Sequence, residues 1–237
     1  MNAVIVRLSA QALFGRKRFL MLLALPLALA ALAVTIRALA GTDVGYDEIV
    51  VGLGLGVALP LVALLATSSV LGPEIDDGSI VYLLAKPISR RVVALSKFVV
   101  AFGATVVFGA LPLPFLGLIL APDSLERSMA WFVGALLGSA AYSGIFLALS
   151  ALTRHAVVVG LLFVFFWEGL LGNLLSGVRW VSVGAWSRQV ASSLDDTIAM
   201  AVGVGTPYAV LAGVVVMLTG VLFAGQRLRS FSMRGET

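Results

Sequence analysis

Three sets of residues in this chain have the types and spacing to do chemistry. Glu168 is the one acid set deep in an apolar run, FVFFWEGLLGN. A lone carboxylate in lipid costs several kcal/mol, so it must be protonated, paired or facing a wet cavity. Two roles fit it. With Asn173 it lines or gates a transport path; otherwise it is a satisfied polar group fixing a helix contact or the turn near Gly169, Gly172 and Asn173. His155 is the only histidine and stands beside Arg154. It reads as a solvated loop residue, and one histidine excludes an HExxH zinc site. No serine and carboxylate are placed with it as a nucleophile set would require.

The third set is GPEIDDGSIVYLLAKPISRRVVALSK, residues 72–97. Glu74, Asp76 and Asp77 come first, and Lys86, Arg90, Arg91 and Lys97 follow. Asp77-Gly78 reads as a turn, and Asp77 or Ser79 as a helix cap. A short helix over 79–86 puts Ile80, Leu83 and Leu84 on one face, and Pro87 stops it. The acids at its start and Lys86 at its end suit the helix dipole. Ser89 is placed to cap the next helix, with Arg90, Arg91 and Lys97 at the headgroups. This geometry suits transmission of force from a partner, or equally a plain interfacial linker.

Glycine motifs carry less. GLGLG at 52–56 lacks the spacing and the preceding strand of a dinucleotide fingerprint, and no GxxxxGK[ST] loop occurs. Gly52 and Gly56, like Gly134 and Gly138, are spaced to let a neighbouring helix backbone approach closely.

The elements that position these residues are membrane helices. The chain has 237 residues, 60% hydrophobic and 12% charged, with mean hydropathy +1.08. Soluble domains carry roughly 25% charged residues, so most of this surface faces lipid. There is no cysteine, and the net charge is +4. In this setting the excess of bases fits an anionic leaflet rather than nucleic acid. Usage rich in Ala, Val, Gly and Arg suggests a GC-rich bacterial genome. Arg16-Lys17-Arg18 followed by an apolar run to Ile36 and Ala38-Leu39-Ala40 resembles a signal peptide. The run is longer than the roughly 7–15 residues of a signal core, so it reads as an uncleaved first span.

Hydropathy predicts an all-α, single-domain membrane protein over 1–237, with six spans at about 19–40, 50–71, 98–120, 129–152, 156–177 and 206–226. With both termini inside, the inner segments hold 12 of the 16 bases. The positive-inside rule therefore places both termini and residues 72–97 in the cytoplasm, and the protein in the cell membrane. Residues 178–205 form the outer segment. One or two short helices are expected there on the outer surface, with Trp180 and Trp186 at the interface and Asp195-Asp196 turning or capping. Pro26, Pro60, Pro112, Pro114 and Pro207 mark where spans can bend.

The segment 72–97 resembles the link between the second and third spans of ABC-2 type transporter permeases. Glu74, Gly78-Ser79, Leu83-Leu84, Pro87-Ile88-Ser89-Arg90 and Lys97 match that family's pattern without a gap. The small first outer loop is similar to the nitrous-oxide-reductase maturation subgroup. The resemblance implies a half-transporter, an exporter by family habit: two permease copies, or this chain and a sister permease, with two separate soluble ABC ATPase subunits. The chain itself would bind no cofactor and catalyse nothing; ATP and Mg would sit on the partner. It further implies that 79–86 is a coupling helix seated in the ATPase. Contacts would be made by Glu74, Asp77, Gly78, Ser79, Tyr82, Lys86, Pro87, Ser89 and Arg90, with Leu83 and Leu84 holding it. Residues 178–205 would form re-entrant helices closing the path. Two other readings are a membrane scaffold or sensor without ATP and an intramembrane enzyme. The apolar spans do not reveal the substrate.

Overall fold

The computed structural model describes residues 3–13, 15–41, 44–76, 89–153, 155–171, 176–198 and 204–232. Every regular element among them is helical. Helix α1 is Ala3–Leu13, α2 Arg16–Ala40, and α3 runs from Asp47–Ala58 into Leu59–Asp76. Helix α4 covers Arg90–Leu120, α5 Leu125–Leu152 and α6 Ala156–Leu171. A 3₁₀ turn, Ser176–Val181, leads into α7, Val183–Ser192, and α8 is Thr206–Ser232.

Five of these are long and apolar enough to cross a bilayer: Phe19–Ala40, Asp47–Leu71, Arg90–Leu120, Leu125–Leu152 and Thr206–Leu228. Of the expected fifth span, 156–177, residues 172–175 lie outside the described residues. Its described helix stops at Leu171, and its last part, Phe163–Leu171, is wound in wide π turns. Among the described residues there are thus five helices long and apolar enough to cross and one shorter apolar helix, Ala156–Leu171. Wide i→i+5 turns also open α3 and interrupt α4, where the amide of Leu111 donates to Val106 O. Pro112 supplies the break there, since it has no amide to continue the ladder.

One end of the bundle gathers Ile5 of α1, Leu71 of α3, Val93 and Ala94 of α4, Ala151 of α5 and Leu228 of α8 in one apolar cluster. We call this end the base; α3 ends and α4 begins there. Helix α1 was not anticipated. It buries Ile5, Ser9 and Leu13 at i, i+4, i+8 and leaves Arg7 and Leu8 exposed, an amphipathic stripe too short for a hydropathy window.

The opposite end is tied by polar contacts. Arg37 donates to Ile119 O at 3.0 Å and Leu120 O at 3.2 Å, satisfying the last carbonyls of α4. Arg127 pairs with Asp47 at 2.6 Å and lies 4.2 Å over the Tyr46 ring. The Tyr46 and Ser128 hydroxyls are 3.1 Å apart. Around the perimeter, large apolar side chains such as Met21, Leu39, Phe165, Leu211 and Val158 are exposed, as suits a surface in lipid.

The two glycine pairs behave differently. A Cβ on Gly134 would run into the backbone carbonyl of Ser187, and one on Gly138 into the Ser187 side chain, so this pair receives α7. A Cβ on Gly52 would meet nothing nearer than its own helix's Asp47 O at 3.7 Å, and one on Gly56 nothing nearer than Val51 O at 3.4 Å. The close packing expected at Gly52 and Gly56 occurs instead at Gly54, against Leu113. Gly134→Ala should lower thermal stability by about 1–3 kcal/mol through backbone displacement. Gly52→Ala should be neutral or stabilise by up to about 1 kcal/mol, from helix propensity. Thermal unfolding of the detergent-purified variants checks both, and equal melting temperatures would refute the distinction.

Candidate functional site

The site assembles around α7. Its sequence, VGAWSRQVAS, reads as polar, yet every residue but Arg188 is buried. The physical reason is that it is thin and internally satisfied. Ser187 donates to Val183 O at 3.0 Å, and Ser192 to Gln189 O at 3.0 Å. The small residues then fit against Gly134 and Gly138 of α5, and α7 also packs on α8. The expectation of short helices on the outer surface is thus corrected: α7 is inserted into the bundle. Trp186 is correspondingly 4% exposed rather than interfacial, its indole donating to Trp180 O at 2.9 Å. Trp180 is exposed and stacks edge-on with Tyr208, whose hydroxyl donates to the same carbonyl.

Burying a helix N-terminus leaves amides without partners. Two residues resolve this. Ser182 takes the N-cap position, and its Oγ accepts from the Ala185 amide at 3.2 Å. Glu168 reaches across from α6. Its Oε1 accepts from the Val183 amide at 2.9 Å; its Oε2 accepts from the Ser182 hydroxyl at 2.6 Å and the Gly184 amide at 3.3 Å. A carboxylate at a helix N-terminus is further favoured by the dipole. Of the two roles open to Glu168, the geometry carries the helix contact. Trp167 next to it donates to Val181 O at 3.2 Å, a second tie between α6 and the unit formed by the Ser176–Val181 turn and α7, here called the α7 hairpin.

This junction is deep. Gly184 lies beside the Tyr142 hydroxyl, and Tyr142 is roughly 25 Å along α5 from Leu125 at about 1.5 Å per residue. Tyr142 is fully buried and its hydroxyl sits next to Glu168 without a hydrogen bond of good geometry. From there α7 rises along α5 toward the end that carries Ser128, and Gln189 reaches Thr206 at the start of α8. Beyond α7, Asp195 Oδ1 accepts from the amide and hydroxyl of Thr197, the expected Asx-type turn. The hydroxyl bond is the main reason its pKa lies below the ordinary carboxylate value.

Next to this junction is an apolar groove of about 510 Å³ between α3 and α6. It is lined by Gly56, Val57 and Leu61 on one side and Leu161, Val164, Phe165, Gly169 and Leu170 on the other. Gly56, expected to sit under a neighbouring helix, is therefore part of an open wall.

At the base, Glu74 lies in the last turn of α3. Asp77, Gly78, Ser79, Tyr82, Leu83, Leu84, Lys86 and Pro87 lie outside the described residues, and so does the short helix expected over 79–86. Asn173 does too. Ser89 stands at the N-cap of α4 with an extended backbone, but its side chain makes no capping bond; the Val92 and Val93 amides go to its carbonyl. Arg90 opens α4, half-buried, and Arg91 is exposed. Lys97 departs from expectation. It is fully buried rather than at the headgroups, and its Nζ donates to Val70 O of α3 at 2.8 Å. Among the described residues no cluster of three or more potential ligands could hold a metal ion.

Sequence reasoning named Glu168 but missed its partners. Ser182 could have been found as a capping serine ahead of a helical stretch. Arg188 and Tyr142 gave no signal beyond their presence in or near apolar sequence.

No curated protein matches the chain in sequence. Residues 9–181 match the family described as ABC-2 family transporter protein. That stretch takes in the segment 72–97 and every helix from α2 to α6. With five helices long and apolar enough to cross a membrane and this match over most of its length, the chain belongs to the ABC-2 transporter family, as a multi-pass membrane permease.

Proposed function

We propose that this permease works as an exporter half, paired with a second copy or a sister permease and driven by two separate ATPase subunits. The observation that carries the reading is the family match across 72–97, whose acid-first, base-last order was legible from the residues alone. In this reading the 77–88 segment faces the cytoplasm, in accord with the base charges there. ATP and Mg are bound by the partner, and this chain catalyses nothing. Closure of the ATPases pushes the 79–86 helix, and α3 and α4, which emerge on either side of it, receive the motion. The α7 hairpin closes the path at the far end, and the groove between α3 and α6 gives an apolar solute a wall to follow. The small first outer loop favours the nitrous-oxide-reductase maturation subgroup.

Replacing Leu83 and Leu84 together by Asp should abolish co-purification with the proposed ATPase partner, while membrane insertion is kept. Two carboxylates in an apolar seat each cost several kcal/mol, enough to dissociate a micromolar complex. A complex that survives the double substitution would overturn the coupling assignment. Association with no ATPase at all would favour the scaffold or sensor reading.

A further inference from the structure

Arg188 is the only residue of α7 that is not buried, and its Nε is a buried atom with no hydrogen-bond partner. No donor of its guanidinium meets a protein acceptor among the described residues. Glu168 and Arg188 both act electrostatically on Tyr142. Both oxygens of Glu168 are already committed to the α7 N-terminus. Along α7, residue Arg188 lies between the level of Gly184, beside Tyr142, and that of Ala191, beside Gly134. It is thus carried into the bundle well below the outer end of α5. A cation at membrane depth without a partner is costly and marks a position where a ligand completes the set. Arginine presents a planar fork of donors that fits carboxylate, phosphate or sulfate oxygens two at a time.

We propose that Arg188 is a binding position for the anionic group of the transported molecule, which makes the substrate an anion-bearing amphiphile rather than a neutral or cationic one. The naming of this anion as substrate rests on the permease reading; the site itself does not. The apolar groove whose wall includes Gly169, one residue from Glu168, suits the remainder of such a molecule. The Tyr142 hydroxyl, buried and without a well-formed bond, is a second donor within electrostatic reach of the same arginine.

The test uses the full chain in phosphatidylcholine nanodiscs and its own fluorescence. Trp167, Trp180 and Trp186 belong to the hairpin or bond to it. The probes are dibromostearate, a quenching anionic amphiphile, and its uncharged methyl ester. Saturable quenching by the acid and not by the ester is expected. Arg188→Gln should weaken the acid's apparent affinity by roughly ten- to a hundredfold, the loss of a charge-assisted hydrogen-bonded pair. Arg188→Lys should lose less. Equal quenching by acid and ester, or an Arg188→Gln curve identical to wild type, would overturn the proposal. Should Arg188→Gln fail to fold, the acid–ester comparison in the wild type and the Arg188→Lys curve decide. Phosphatidylglycerol added to the nanodiscs separates the two sources of the anion. Competition with the probe assigns the site to a lipid headgroup, and its absence assigns it to a solute of the acid's kind. Arg188-dependent binding without ATPase association would keep the site and remove the transport role.

Discussion

Glu168→Ala is expected to release the α7 hairpin from the bundle. The substitution leaves the Ser182 hydroxyl and the Val183 and Gly184 amides without acceptors at a depth where water is scarce. Each orphaned buried donor costs about 1–3 kcal/mol. Glu168 is only half-buried, so some water enters, and a total loss of about 2–4 kcal/mol follows. Glu168→Gln should fall between. One amide oxygen can still take the Ser182 and Gly184 donors, but the side-chain NH₂ then faces the Val183 N–H, donor against donor. About 1–2 kcal/mol is expected for that loss. The chain has no cysteine, which makes the measurement direct. Ser187→Cys, facing Gly138 under α5, should resist a water-soluble maleimide in the parent and react when combined with Glu168→Ala. Unchanged labelling with an unchanged melting temperature would show that Glu168 does not hold the hairpin.

The same residue shows how far the sequence could be read. Hydropathy located Glu168 in an apolar run and required that it be paired, and it is. What the sequence could not show is the partner, because the partner is mostly backbone: two of the three donors are amides whose identity no side chain announces. The α7 stretch was misplaced for a related reason. Ser187, Gln189 and Ser192 count as polar in any composition window, but their groups are bonded within the helix or across to Thr206. A polar residue bonded this way no longer calls for water, so polarity along the chain and exposure in space part company. The long spans were legible to within a few residues at the Phe19, Leu71 and Leu152 ends, where a continuous apolar run is itself the cause of the structure. The Gly52–Gly56 pair misled because spacing says a close approach is possible, and only the fold decides which helix arrives.

Lys97 carries the second large effect. In the sequence it stands near the foot of α4, with Arg90 and Arg91, where solvation at the headgroups is the expectation. The helix, however, starts at Arg90, so Lys97 lies two turns inside it. Its side chain is fully buried, and its ammonium bonds Val70 O. Lys97→Ala removes that bond and opens a space the length of the side chain, and a loss of about 3–5 kcal/mol is expected. Lys97→Met refills most of the volume and should cost about 1–2 kcal/mol, the share of the charged hydrogen bond. Thermal unfolding should therefore rank wild type above Met above Ala. A methionine variant as stable as the wild type would mean that desolvation of the ammonium cancels the bond, as it does in many buried ion pairs. An alanine variant as stable as the wild type would refute the tie altogether. The position of this tie gives it a second consequence in the proposed complex. Val70 is near the end of α3 and Lys97 near the start of α4, the two helices that flank residues 77–88. With them joined, a push on that segment moves both together. With Met at 97, the ATPase should still associate, through Leu83 and Leu84, while its hydrolysis becomes less responsive to the permease. Hydrolysis rates measured with and without the permease distinguish this from simple loss of fold, which would remove association as well.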